Sequence, residues 1–171
     1  MVRYMAATST SSKAFKSLIA AILSRPERKP PASAKALLAR ALAPDARTFL
    51  EAWVSHMPPH ISIGELWFDD RDPGGDVPQE DDYDMTEPMR EDVLMFAHSP
   101  GGDLFALKPD GKGKLGAVVR IKHDDGWQEW EEAESLAAFV EKCFRAAKEK
   151  GEQTSLDAPA KVTGAAKKKR R

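Results

Sequence analysis

Eight carboxylates crowd into residues 69–84: Asp69, Asp70, Asp72, Asp76, Glu80, Asp81, Asp82 and Asp84. Acids at that density suggest three chemistries: cation binding, general acid–base work, or attraction of a basic partner. An EF-hand loop needs oxygen ligands alternating around a glycine and a closing glutamate, and this run does not follow that spacing. Acid–base work needs a carboxylate perturbed by burial or by a neighbouring charge, whereas solvated carboxylates keep ordinary pKa values. What remains is a solvated loop, or a surface where carboxylates mimic phosphates and speed encounter with a basic protein. Four tryptophans accompany it. Trp53 falls in an apolar helical pattern and reads as core. Trp67 precedes the acidic run, while Trp127 and Trp130 bracket Gln128-Glu129. Tryptophan is enriched among the few residues that dominate interfaces. The candidate partner-binding set is therefore Trp67, Asp69, Asp70, Asp72, Asp76, Asp81, Asp82, Asp84, Trp127 and Trp130.

The other reactive residue types give weaker patterns. His56, His60, His98 and His123 do not have the paired-ligand spacing of a zinc site, so neither a metal nor a cofactor is expected. His98, Asp103, His123 and Asp124 are the set an enzyme would use here, the least supported reading. Gly101-Gly102-Asp103 lies between two strand-like runs rather than before a helix. It reads as a structural turn, not a phosphate cradle, with Asp103 taking the turn's backbone donors. Cys143 lies one position off an apolar stripe and reads as a half-buried structural thiol. Lys167, Lys168, Lys169, Arg170 and Arg171 form a basic run without interleaved aromatics. That favours weak phosphate attraction over base stacking.

The chain has 171 residues, enough for one domain with segments left over, and its net charge of −1 hides a strong asymmetry. Nine Lys or Arg residues precede residue 48, against only Glu27 and Asp45. Residues 65–92 hold twelve acids against Arg71 and Arg90, and residues 148–171 hold eight bases against three acids. A single cysteine excludes an internal disulfide and fits a reducing compartment. The apolar run Ser17-Leu-Ile-Ala-Ala-Ile-Leu23 is shorter than the roughly 20 residues that span a bilayer. A cytoplasmic protein without membrane contact is expected.

The elements that would position these residues follow from periodicity. Phe15, Leu18, Ile19, Ile22 and Leu23 recur at helical spacing. Ser33 is placed to cap a second helix carrying Leu37, Leu38 and Leu42. Pro44 opens a third helix with Phe49, Leu50, Trp53 and Val54 on one face, stopped by Pro58-Pro59. Residues 61–68 have strand composition, and residues 69–89 read as an exposed acidic loop. Runs 93–97, 104–107 and 116–122, separated by glycine-rich turns, read as an antiparallel meander that residues 127–130 continue. Ser135 caps a closing helix with Leu136, Phe139, Val140 and Phe144 on its stripe. The whole is an α+β pattern: N-terminal helices, a central meander of about four to six strands, and a C-terminal helix packed on it. The expected organisation is a flexible leader over 1–12, one domain over 13–147, and a disordered basic tail over 148–171.

Residues 92–144 resemble the SUKH superfamily of bacterial toxin-immunity proteins and fungal cell-wall regulators. Three stretches carry the resemblance. Phe96-Ala-His-Ser-Pro-Gly-Gly-Asp-Leu-Phe-Ala-Leu107 looks like the family's strand–turn–strand segment. Gly116-Ala-Val-Val-Arg-Ile-Lys-His-Asp-Asp125 is similar to its next strand, and residues 131–144 to its closing helix. Pro44-Asp-Ala-Arg-Thr-Phe-Leu50 resembles its N-terminal helix. Ser55-His-Met-Pro-Pro59 stands where the family has Asn-Gly-Gly. The resemblance implies a non-catalytic immunity protein that binds and neutralises a toxin domain. Joined to the charge pattern, it implies an acidic surface against a basic partner. The alternative is a nucleic-acid-associated accessory protein that uses the basic N-terminal region and tail.

Overall fold

The computed structural model describes residues 12–56, 60–68 and 91–157. Three helices come first: α1 (Lys13–Leu23), α2 (Ala34–Leu38) and α3 (Pro44–Ser55). Six strands follow: β1 (Ile61–Ile63), β2 (Leu66–Phe68), β3 (Leu94–His98), β4 (Leu104–Pro109), β5 (Leu115–Lys122) and β6 (Gln128–Ala133). Helix α4 (Leu136–Lys150) closes the order, with a short 3-10 turn at Ser155–Asp157. The strands form one antiparallel sheet in sequence order, so the fold is α+β with a meander.

Local chemistry sets the helix ends. The Ser12 hydroxyl accepts the Phe15 N–H at the start of α1 and donates to Glu141 on α4 at 2.7 Å. Pro44 occupies the first turn of α3, where its missing N–H costs nothing. The buried carboxylate of Asp45 accepts the N–H of Ala46 at 2.8 Å and that of Ala137 at 2.9 Å. One side chain thus ties the first turn of α3 to the first turn of α4. Ser135 completes that terminus by accepting the Ala138 N–H.

The helices lie on one face of the sheet. Phe49 and Trp53 of α3 meet edge to face at 5.0 Å, and Phe49 reaches Phe68 and Phe96 on the sheet. Phe139 of α4 packs on Phe96 and Phe105. Leu18 and Ile22 of α1 complete this core. A second buried cluster occupies the opposite face: Val93, Met95, Ala106, Val119 and Ile121, with Leu104 and Trp127 packed against it. No described helix contributes to that cluster.

Several expectations are corrected. Ser33 has a helical backbone and makes no capping bond, α2 ends at Leu38, and Leu42 pairs in parallel with Leu115 instead. Residues 61–68, which have strand composition, form two strands joined as a hairpin, because Gly64-Glu65 turns the chain in their middle. The tail does not begin at Lys148. Helix α4 runs to Lys150, Thr154 is buried, and Thr154 bridges Ile63 on the outer edge of β1. Ser12, expected in the leader, caps α1. The acidic run 69–84, Pro58-Pro59 and the basic run 167–171 lie outside the described residues.

Candidate functional site

Strand register builds the site. The sheet pairs Ser62 with Trp67, Trp67 with His98, His98 with Leu104, Leu104 with Ile121, and Ile121 with Glu129. These residues form one row across all six strands. Directly opposed residues share a face, and Leu104 and Ile121 place this row on the face away from the helices. Met95, Ala106, Val119 and Glu131 make a second row beside it. This face is apolar at its centre, aromatic toward β2 and charged toward β6.

Trp67 is 42% exposed and meets the His98 ring edge to face at 5.8 Å. Trp127 packs on the central cluster and lies 5.8 Å from the His123 ring. Its φ of 62° is left-handed, a strained state for a bulky residue that costs on the order of 1–3 kcal/mol. Packing of the indole over the second cluster offsets that strain. Trp130 does not join them. It pairs with Arg120 on the helix side of the sheet, 49% exposed, with the Lys122 ammonium 4.7 Å above its ring. The three tryptophans expected to form one surface are therefore divided between two faces.

At the β6 side, the Lys108 ammonium donates to Glu129 at 2.9 Å and to Glu131 at 3.0 Å. Those two bonds raise its pKa above the ordinary lysine value. Neither glutamate is then a free charge on this face.

Gly101-Gly102-Asp103 forms a turn closed by bonds from the Gly102 N–H to Ser99 and from the Ser99 N–H to Asp103. The Asp103 carboxylate does not serve that turn. It reaches across the sheet to the Arg120 guanidinium at 2.6 and 2.8 Å and accepts the His123 N–H at 3.2 Å. His123 lies over Gly102, whose φ of +93° and bare Cα leave room for the ring. Sequence reasoning missed this cross-strand role, because Arg120 is 17 residues away in the chain.

The histidines do not converge. The Nδ1 of His56 lies against the Ala52 carbonyl, His60 lines a cleft beside β1, His98 meets Trp67, and His123 meets Asp103 and Asp124. Among the described residues, no group of three or more His, Cys, Asp or Glu side chains is arranged to hold a metal ion. Burial pushes the Cys143 thiol up to about 12, which leaves little of the thiolate that nucleophilic chemistry requires. No described helix is long and apolar enough to cross a membrane.

A cleft of about 660 Å³ opens at the β1–β2 hairpin, lined by Trp67, Glu65, His60, Ser62, Glu152 and Gln153 among others. Sequence reasoning placed Trp67 at an interface but not Glu152, which it assigned to the tail. Comparison of the chain with family models, curated proteins and solved structures returned no match.

Proposed function

We propose that this chain is a non-catalytic binding protein of the immunity type, which neutralises a basic toxin domain by covering it. The observation that carries this reading is Trp67. It is a large, rigid, half-exposed ring on the sheet face away from the described helices, and the acidic residues 69–84 begin two positions later in the chain. A flat aromatic anchor followed in sequence by dense negative charge suits a basic protein surface: the ring supplies desolvated contact area and the acids supply steering. The resemblance of residues 92–144 to the SUKH superfamily supports the same reading. Trp127 belongs to this surface, and Trp130 is left out of it.

The test is capture of partners from the source cells by the tagged chain, with nuclease present, at low and high salt. One stoichiometric protein partner is expected, released as salt rises. Trp67→Ala should weaken it by about 2 kcal/mol, roughly thirtyfold. Replacing the acids of residues 69–84 with Asn or Gln should slow association. Unchanged affinity in both variants overturns the reading. Recovery of nucleic acid alone, lost on deletion of residues 158–171, moves it to a nucleic-acid accessory protein.

A further inference from the structure

We infer that the cleft at the β1–β2 hairpin is an anchor pocket for a guanidinium group, filled by one arginine side chain of the bound protein. This deepens the binding reading above and rests on it for the source of the arginine.

Three kinds of group converge there. The Trp67 ring offers an exposed aromatic surface. Glu65 lines the cleft from the hairpin turn itself. Glu152 also lines it, from the segment that leaves α4, with its carboxylate beside Gly64. The position of Glu152 is built rather than incidental. Its N–H donates to Ala147 at 2.8 Å, and the Gly64 N–H donates to Gln153 at 3.1 Å, so backbone bonds fix this segment against the hairpin. Gly64 has a φ of +56°, and a Cβ there would collide with the Glu152 carboxylate. The turn residue that makes the hairpin therefore also makes room for the acid.

An aromatic ring and two carboxylates lining one cleft select a cation. A guanidinium fits better than an ammonium, because its plane stacks on an indole while its fork bonds carboxylates. Lys150 lies 3.8 Å from Glu152, but its side chain is largely in solvent, so its neutralisation of Glu152 is partial. His60, Ser62 and Gln153 supply further polar contacts at the rim.

The experiment is a titration of the full chain with N-acetyl-arginine amide, followed by NMR at the Trp67 indole N–H and the Gly64 and Gln153 amides. N-acetyl-citrulline amide, the neutral isostere, serves as control. Saturable shifts with the arginine probe alone are expected. The combined Glu65→Gln and Glu152→Gln variant should weaken binding about tenfold, while Trp67→Leu, followed at the Gly64 and Gln153 amides, should weaken the arginine probe and keep its preference over citrulline. Equal shifts with citrulline, or unchanged affinity in the double variant, overturn the pocket. Shifts that appear only after deletion of residues 158–171 would assign it to the chain's own basic tail and overturn the partner as the source. A partner captured equally well by the double variant overturns the pocket while sparing the binding function. Arginine binding without any captured partner does the reverse.

Discussion

Cys143 sits half-buried on α4, packed at the edge of the helix-side core. Burial holds its thiol neutral, raising the pKa from 9.0 to about 12. At pH 8 a pKa of 12 leaves about one thiol in ten thousand ionised, against about one in ten at 9.0. Labelling of the native chain by an aromatic disulfide reagent at pH 8 should therefore run about a thousandfold slower than in urea. Equal rates would mean the thiol is open and ionised. The sign of the linked stability follows from the raised value. The contribution is whole below the unfolded pKa near 9 and is lost as pH rises toward about 12. At this scale the sequence was partly readable. Cys143 falls beside the Phe139, Val140 and Phe144 stripe, so its half-burial follows from helical spacing alone. The division of Trp127 and Trp130 between two faces was not legible, because Trp127 precedes β6 and has a left-handed φ of 62°, so strand alternation does not set its direction. The cross-strand bond of Asp103 to Arg120 and the link of Asp45 to Ala137 depend on register and packing, which no local pattern encodes.

Elements are held by close backbone approaches as much as by side chains. Residues 41–43 run alongside the start of β5: the Leu115 N–H donates to Ala41 at 2.8 Å, and the Ala43 N–H donates to Leu115 at 2.9 Å. This brings the chain entering α3 onto Gly116, where an added Cβ would lie 2.6 Å from the Ala43 Cβ. Ala43 is tied by its backbone bonds and has no rotamer by which to move aside. Gly116→Ala should therefore destabilise the domain by about 1–3 kcal/mol, the range of an overpacked core site, as read by urea unfolding. A neutral result would mean that the 41–43 segment swings away freely. The helices were readable because a 3.6-residue period extends over ten or more residues in α1, α3 and α4. The hairpin of β1 and β2 was not, because each strand has three residues and their apolar runs merge across Gly64-Glu65. That Gly-containing pair, set between two apolar runs, was the available sign of a two-residue turn. Leu42 has helical spacing from Leu38 but ends up extended beside Leu115, a case of tertiary pairing overriding pattern.

The whole molecule closes its sheet with a segment that has no periodicity. Helix α4 ends at Gly151, and the following residues return along β1: the Gly64 N–H donates to Gln153, Thr154 bridges Ile63, and the Ser62 N–H donates to the Ser155 hydroxyl at 3.1 Å. Leu156 packs against the main core. An unpaired outer strand is a template for unwanted pairing, and this segment occupies that edge. It also carries Glu152 into the cleft, so one short stretch serves both the fold and the candidate site. Its polar composition made it indistinguishable in sequence from the basic tail that follows. Two truncations separate them. Removing residues 158–171 should leave the melting temperature within about 2 °C of the full chain, because the edge bonds, Thr154 and Leu156 all precede residue 158. Removing residues 152–171 strips the edge bonds, buried Thr154 and the Leu156 contact. It should cost roughly 2–4 kcal/mol and lower the midpoint by about 5–15 °C. The freed edge of β1 should also raise the tendency to self-associate, measured by light scattering at equal concentration. Equal melting of the two truncations would place residues 152–157 with the tail, and the Glu152 side of the arginine pocket would then lose its support.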